Sequence, residues 1–387
     1  MMRFLRNLFG NETKQIKRKS RRPSAGRRLG LEGLESRDLM AFGAAVVPQQ
    51  LVSQPLQVVA PAAVTVSIQN NDLVIRGTDA HDDVKVTYLN GKYEVSVRTL
   101  VDDRVISSKS TWRVTGGDVF FYGNKGDDKF LASFSSGGYL HVTAEGGDGD
   151  DELTGSWGKD NLRGGNGRDM LIGQANDDKL DGGLGPDYLD GRDGNDTLIC
   201  GNDYEANNAF GAAGNDTITG SYGDDSLNGG GGNDIISGND GNDIIHGDDG
   251  NDTLNGDLGA DEILGGNGHD LLDAGNDNLG NYLDGGTGND HLYGSLGNDY
   301  MRGDKGNDWL YGGAGNDQLY GGIGDQDHLY GGTGNDTLGG DNLDFYSGQA
   351  GVDTFFVDYP GHYWPWSYDS PPTIEAEPGE QIFEGTY

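Results

Sequence analysis

Aspartate recurs at a fixed spacing along this chain, in glycine-rich stretches and two residues before an aliphatic side chain. From Gly146 the sequence reads GGDGDDELT, GSWGKDNLR, GGNGRDMLI, GQANDDKLD, GGLGPDYLD and GRDGNDTLI without a gap to Ile199. Each unit is Gly-x-x-Gly-x-Asp-x-aliphatic-x. The register resumes at Gly211 and runs to Asp273, then resumes at Gly285 and continues to Tyr320. One added residue shifts GGIGDQDHLY (Gly321–Tyr330); GGTGNDTLG follows at Gly331, and GQAGVDTFF at Gly348 closes the series. With GNKGDDKFL at Gly123, about twenty units match.

The chemistry available to such residues is oxygen ligation of a hard cation. A divalent cation such as calcium takes six to eight oxygens in a flexible shell, whereas magnesium demands a stricter octahedron and keeps water. Thiolate and imidazole metals lack ligands, because the chain has 1 Cys and 7 scattered His. His246, His269, His291 and His328 occupy variable places in the units and read as solvent-facing. No HExxH zinc helix, GxSxG elbow or Walker-type GxxxxGK[ST] loop occurs. The carboxylates are too numerous for any pair to mark acid–base catalysis, so the chain is not expected to be an enzyme. Cys200 reads as a small buried apolar side chain.

A nine-residue period with one apolar place gives too little apolar face for a helix. The triplet x-U-x (U aliphatic) suffices for a short strand with only U pointing inward. The six residues before it must turn the chain, and their glycines permit φ > 0. Two units then make one turn of a flattened parallel coil, with consecutive units on opposite sides and units i and i+2 stacked about 4.8 Å apart. Residues 146–356 would give about twelve turns, a rod roughly 55 Å long. Each sixth-place Asp then lies above another on the next turn, and such a column repels itself unless a cation neutralises it. An Asp in a turn can also simply bond its own loop backbone; a column of this many like charges favours ligation.

Composition agrees. The 387 residues carry a net charge of −36 and include 70 Gly, while 34% are hydrophobic, which is thin for a close-packed core of this length. Ten prolines are too few for collagen, a lone Cys rules out an intrachain disulfide scaffold, and no run of about 20 apolar residues exists to form a transmembrane helix. Nucleic acid is a poor partner for so acidic a body. Residues 1–40 carry eleven Lys/Arg and four Asp/Glu, a net of +7, which leaves −43 for the rest.

The repeat is G-G-x-G-x-D-x-U-x, and the chain resembles the RTX, or hemolysin-type, calcium-binding nonapeptide repeat proteins. The resemblance implies an all-β fold: a right-handed parallel β-roll, or β-helix solenoid, in which calcium is held between stacked loops. It implies a ligand role for Asp151, Asp160, Asp169, Asp178, Asp187, Asp196, Asp216, Asp225, Asp234, Asp243, Asp252, Asp261, Asp270, Asp290, Asp299, Asp308, Asp317 and Asp336. One Ca2+ per stacked loop pair is expected, roughly eighteen ions carrying about +36. Asp128 and Asp353 lie at the ends, where a stacked neighbour is not guaranteed. RTX proteins often carry an enzyme or toxin domain beside their repeats; here only residues 64–145 could house an unrecognised site.

The organisation expected is a basic targeting or export segment at 1–40, a linker at 41–63, a β-rich region at 64–145, the calcium-binding roll at 146–356 and an aromatic, acidic tail or cap at 357–387. RRLGLEGLESRDLMA resembles the LExLExRxLL segment near the N-terminus of many large secreted planctomycete proteins, which implies an exported, extracellular or cell-surface protein. In 64–122, Asn90-Gly91 between VKVTYL and KYEVSV reads as a hairpin turn, and GTDAHDDVK at Gly77 is a degenerate unit with Asp82 in the ligand place. Two eleven-residue segments, Cys200–Phe210 and Ala274–Asp284, interrupt the period. Each reads as one unit with a bulged loop, leaving a single rod; the alternative is a break into shorter rods. Finally, His291/Tyr293, Trp309/Tyr311 and His328/Tyr330 should form an aromatic strip on one face. It would stiffen the strands by stacking, or bind a cell-surface glycan or matrix protein in an adhesin.

Overall fold

Alternate units pair with each other, as the period requires. In the computed structural model, which describes residues 63–88, 92–101, 104–112, 117–134, 140–322, 326–341, 343–358, 373–375 and 381–385, every repeat contributes one strand. Asn161–Asn166 pairs in parallel with Val142–Asp148 on one side and Lys179–Leu184 on the other, in the register Leu162↔Ala144 and Leu162↔Leu180. Met170–Ala175, the next strand along the chain, pairs instead with Glu152–Thr154 and Tyr188–Asp193. Two sheets result, the first of 16 strands, wound as a parallel solenoid of about 12 turns across the repeat region. No helix occurs among the described residues, and none is long and apolar enough to cross a membrane.

The core is a double stack of the U-place side chains. Leu162, Leu171, Leu180 and Leu189 are each 0% exposed, and Ile218, Ile245, Leu283, Met301 and Leu329 continue the stack. Side chains on either side of U face outward, as a period of two requires. Many strands are longer than the expected triplet: Asn161–Asn166 includes the two glycines that follow x-U-x. There the ladder continues through the second-place residue, with Gly165↔Gly147 and Asn166↔Asp148 in register, and Gly149 N–H donates to the Asn166 carbonyl at 2.8 Å.

The eleven-residue segments do not break the rod. Tyr188–Asp193 pairs with Asn208–Ala213, and Glu262–Asn267 pairs with Tyr282–Thr287, so the two extra residues are absorbed in the turn. Toward the N-terminus the same sheets continue: Asp72–Arg76 pairs in parallel with Val119–Lys125, and Asp82–Tyr88 with Lys129–Phe134. The expected hairpin is present as antiparallel pairing of Asp82–Tyr88 with Tyr93–Val101, and Arg104–Trp112 adds a further antiparallel strand. At the other end Thr373–Glu375 and Gln381–Gly385 each extend one sheet. The export-like segment and most of the expected linker lie outside the described residues, as do 359–372 of the tail.

The aromatic residues form two ladders on the first sheet. Trp309 stacks on His291 at 6.0 Å and on His328 at 4.2 Å, with planes within 3°. Tyr311 stacks on Tyr293 at 5.0 Å and on Tyr330 at 4.9 Å. The ring faces are turned toward one another, so the faces that a sugar ring would stack on are already occupied. The opposite sheet is also aromatic here, since Tyr300 packs against both Tyr282 and Tyr320 at 5.4 Å.

Candidate metal centres

The turns carry the aspartates in two columns, one along each edge of the flattened solenoid. One edge holds Asp151, Asp169, Asp187, Asp225, Asp243, Asp261, Asp299, Asp317 and Asp336. The other holds Asp160, Asp178, Asp196, Asp216, Asp234, Asp252, Asp270, Asp290 and Asp308. Each is nearly inaccessible, from Asp308 at 0% to Asp160 at 4%. Within a column the contact repeats: the backbone N–H of one Asp donates to Oδ1 of the Asp on the next turn. Asp151 donates to Asp169 at 2.8 Å, Asp169 to Asp187 at 2.8 Å, and on the other edge Asp234 to Asp252 at 2.7 Å and Asp252 to Asp270 at 2.8 Å.

Oδ1 is thus satisfied by the fold, while Oδ2 is not. The Oδ2 atoms of Asp151, Asp169, Asp178, Asp187, Asp196, Asp216, Asp234, Asp243, Asp252, Asp261, Asp270, Asp290, Asp317 and Asp336 are buried with no hydrogen-bond partner. Buried unpartnered carboxylate oxygens are costly, and a row of them demands a counter-charge. Each points into a space kept open by the first-place glycine. A β-carbon on Gly265 would lie 2.6 Å from Asp270 Oδ2 and 2.6 Å from the Gly285 carbonyl oxygen; on Gly312 it would lie 2.5 Å from Asp317 Oδ2 and 2.5 Å from the Gly331 carbonyl oxygen. A carboxylate of one turn and a carbonyl of the next therefore converge on a cradle that any side chain would fill.

Burial leaves the metal-free carboxyls reluctant to ionise. Desolvation is the leading cause in each case, partly opposed by the backbone N–H on Oδ1, and neighbouring carboxylates of the same edge add to it in most. Asp178 and Asp243 are pushed up to about 8, Asp151 and Asp169 to about 7, Asp252 and Asp270 to about 6. Among the described residues no three His, Cys, Asp or Glu side chains converge. The oxygens available to an ion are therefore one or two carboxylates plus main-chain carbonyls. That all-oxygen, flexible set suits calcium better than magnesium, and it excludes soft metals.

Sequence periodicity missed several members of the columns. Asp327, displaced by the added residue, stands in register: Asp308 N–H donates to its Oδ1 at 2.9 Å. Asp344 follows it, accepting from Asp327 N–H at 3.0 Å. Asp128 and Asp353 do have stacked neighbours, since Asp128 accepts from Asp82 N–H at 2.7 Å and Asp353 from Asp336 N–H at 2.8 Å. The signal for Asp327 and Asp344 is the triplet Asp-x-apolar, counted back from the inward side chain instead of forward from the preceding unit. In the eleven-residue segments Asn207 and Asn281 take the column place, accepting from Asp187 and Asp261 N–H at 2.8 Å each. Asp203 and Asp277 lie outside the columns, where each accepts a glycine N–H instead. A second, exposed ladder runs one residue earlier: Asn233 N–H donates to Asn215 Oδ1 at 2.7 Å and Asn251 N–H to Asn233 Oδ1 at 2.8 Å.

Two stacked columns of buried aspartates over glycine cradles, on a parallel solenoid with a nine-residue repeat, define a calcium-binding repeat roll. The family profile described as RTX calcium-binding nonapeptide repeat (4 copies) matches residues 143–171, 172–204, 210–245, 246–278, 277–309, 293–325, 303–338 and 325–355. These matches cover more than half of the chain, which belongs to this family. No curated protein matches it.

Proposed function

We propose that this protein is a non-catalytic extracellular module whose solenoid folds when it meets calcium. The observation that carries the reading is the row of buried, unpartnered Oδ2 atoms aimed into glycine cradles. The unit buries one aliphatic side chain for every nine residues ordered, so hydrophobic burial is weak against the conformational entropy of ordering the turns. Mutual repulsion of the aspartates adds to the cost. Calcium, when bound, supplies the positive charge that makes the closed turns favourable, so binding and folding are one equilibrium. Asp178, Asp196, Asp216, Asp234, Asp252, Asp270 and Asp290 on one edge, and Asp151, Asp169, Asp187, Asp243, Asp261, Asp317 and Asp336 on the other, present Oδ2 to the ion; first-place glycines leave the room, and main-chain carbonyls complete the shell.

The chain would remain open at the low calcium of the cell interior and close turn by turn at the higher calcium outside it, in keeping with the one-dimensional cooperativity of repeat proteins. The N-terminal likeness to exported proteins supports the same location. Thermal unfolding in millimolar calcium and in excess chelator tests the reading: a cooperative transition should be present in calcium and lost or strongly lowered in chelator. An unchanged midpoint would contradict it.

A further inference from the structure

The columns are not uniform. In the turns with bare Oδ2, the second-place residue is left-handed, whether it is Gly266 at φ +110° or Asp248 at φ +72°. Ser221 and Ser295 take the same place without a positive φ, and their turns are closed by protein groups. Ser221 N–H donates to Asp225 Oδ2 at 2.5 Å and Ser221 Oγ lies 3.0 Å from the same oxygen. Asp225 Oδ1 accepts from both the N–H (2.7 Å) and the Nδ2 (3.0 Å) of Asn207. The second case repeats the first: Ser295 N–H donates to Asp299 Oδ2 at 2.6 Å, and Asn281 gives its N–H (2.8 Å) and Nδ2 (3.1 Å) to Asp299 Oδ1. Both oxygens of Asp225 and Asp299 are thus spent, and neither is among the unpartnered atoms.

The turn on the other side of each plug is altered as well. Asn207 and Asn281 are amides where the column elsewhere has carboxylates. The first-place residue of their units is Cys200 or Ala274, each 1% exposed, where the bare turns have the glycine that keeps the cradle open. A missing charge, a β-carbon in the glycine place and a serine that saturates the next carboxylate occur together, twice, on the same edge.

We infer that Cys200–Asn207 with Ser221–Asp225, and Ala274–Asn281 with Ser295–Asp299, are metal-free plugs that divide one calcium column into three separate segments, each plug held shut by its own hydrogen bonds. The inference rests on the calcium reading above, and it removes Asp225 and Asp299 from the ligands that the family resemblance implies. On the opposite edge a serine turn of the same kind closes only Asp160, the first Asp of that column: Ser156 N–H donates to Oδ2 and Val142 N–H donates to Oδ1 at 2.7 Å.

Native mass spectrometry of the full chain at saturating calcium tests this by counting bound ions. Asp243→Asn, one turn beyond the first plug, should lower the count by about one, while Asp225→Asn leaves it unchanged. Ser221→Gly removes the hydroxyl from Asp225 Oδ2 and restores the second-place glycine, whose left-handed conformation leaves Oδ2 bare in the other turns; it should raise the count by about one and covers the case in which Asp225→Asn does not fold. An equal loss from Asp225→Asn and Asp243→Asn, or an unchanged count in Ser221→Gly, overturns the plugs and leaves the calcium reading intact. A wild-type chain that holds no calcium overturns both.

Discussion

At the residue scale, what makes these turns unusual is that, outside the serine turns, each carboxylate has one oxygen anchored by the fold and one left for something else. Proton and calcium compete for the second. The folded, metal-free carboxyls at about 6 to 8 lie above the ordinary carboxylate range, so the metal-free roll binds more protons than the unfolded chain. Its stability is fullest at acid pH and is lost as pH rises through about 6 to 8. Calcium needs the ionised form, so its affinity runs the other way and its binding releases protons. Circular dichroism in chelator should show more β-structure at pH 5 than at pH 8; the opposite order would contradict the assignment. The glycine cradle makes a second prediction. Gly265→Ala places a methyl against Asp270 Oδ2 and the Gly285 carbonyl and should remove about one bound calcium and cost about 1–3 kcal/mol in calcium-saturated denaturation. Gly231→Ala is the control, because its nearest neighbour would be an ordinary 3.8 Å away.

At the element scale, short strands, of three to nine residues, hold together by lateral repetition. The aromatic ladder is one such repetition. Trp309→Ala removes a ring stacked on both His291 and His328 and should destabilise the roll by about 1–3 kcal/mol in denaturant titrations at saturating calcium. An unchanged midpoint would mean that the stack is passive. Because its ring faces meet each other, the same variant should leave retention on polysaccharide unaffected. The strand core was legible in the sequence because period two within x-U-x and period nine between units both mark the inward Leu or Ile. The extension of strands through the second-place residue was not legible: it depends on a left-handed conformation that Gly, Gln174, Arg192 and Asp248 all adopt here. The serine turns stand in the sequence as GSYGDD and GSLGND, with Ser in a place that varies from unit to unit. Their meaning is the hydroxyl and N–H brought onto Oδ2, which only the folded turn displays.

At the scale of the whole molecule, two sheets, two edge columns and one thin core make a solenoid whose stability is bound to its counter-ions. The period foretold the alternation of sides and the continuity of the rod through Cys200–Phe210 and Ala274–Asp284. It did not foretell that the columns number two, nor that Asp327 and Asp344 re-enter register after an insertion, because register is set by strand pairing and not by counting along the chain. The chain has 63 Asp and Glu, and the column aspartates are the part of that charge which the fold buries with oxygens left bare. The most direct test is far-ultraviolet circular dichroism of the full chain against free calcium. The account predicts a steep, cooperative gain of β signal as calcium rises, reversed by chelator. A β signal of the same size in excess chelator at neutral pH would contradict it.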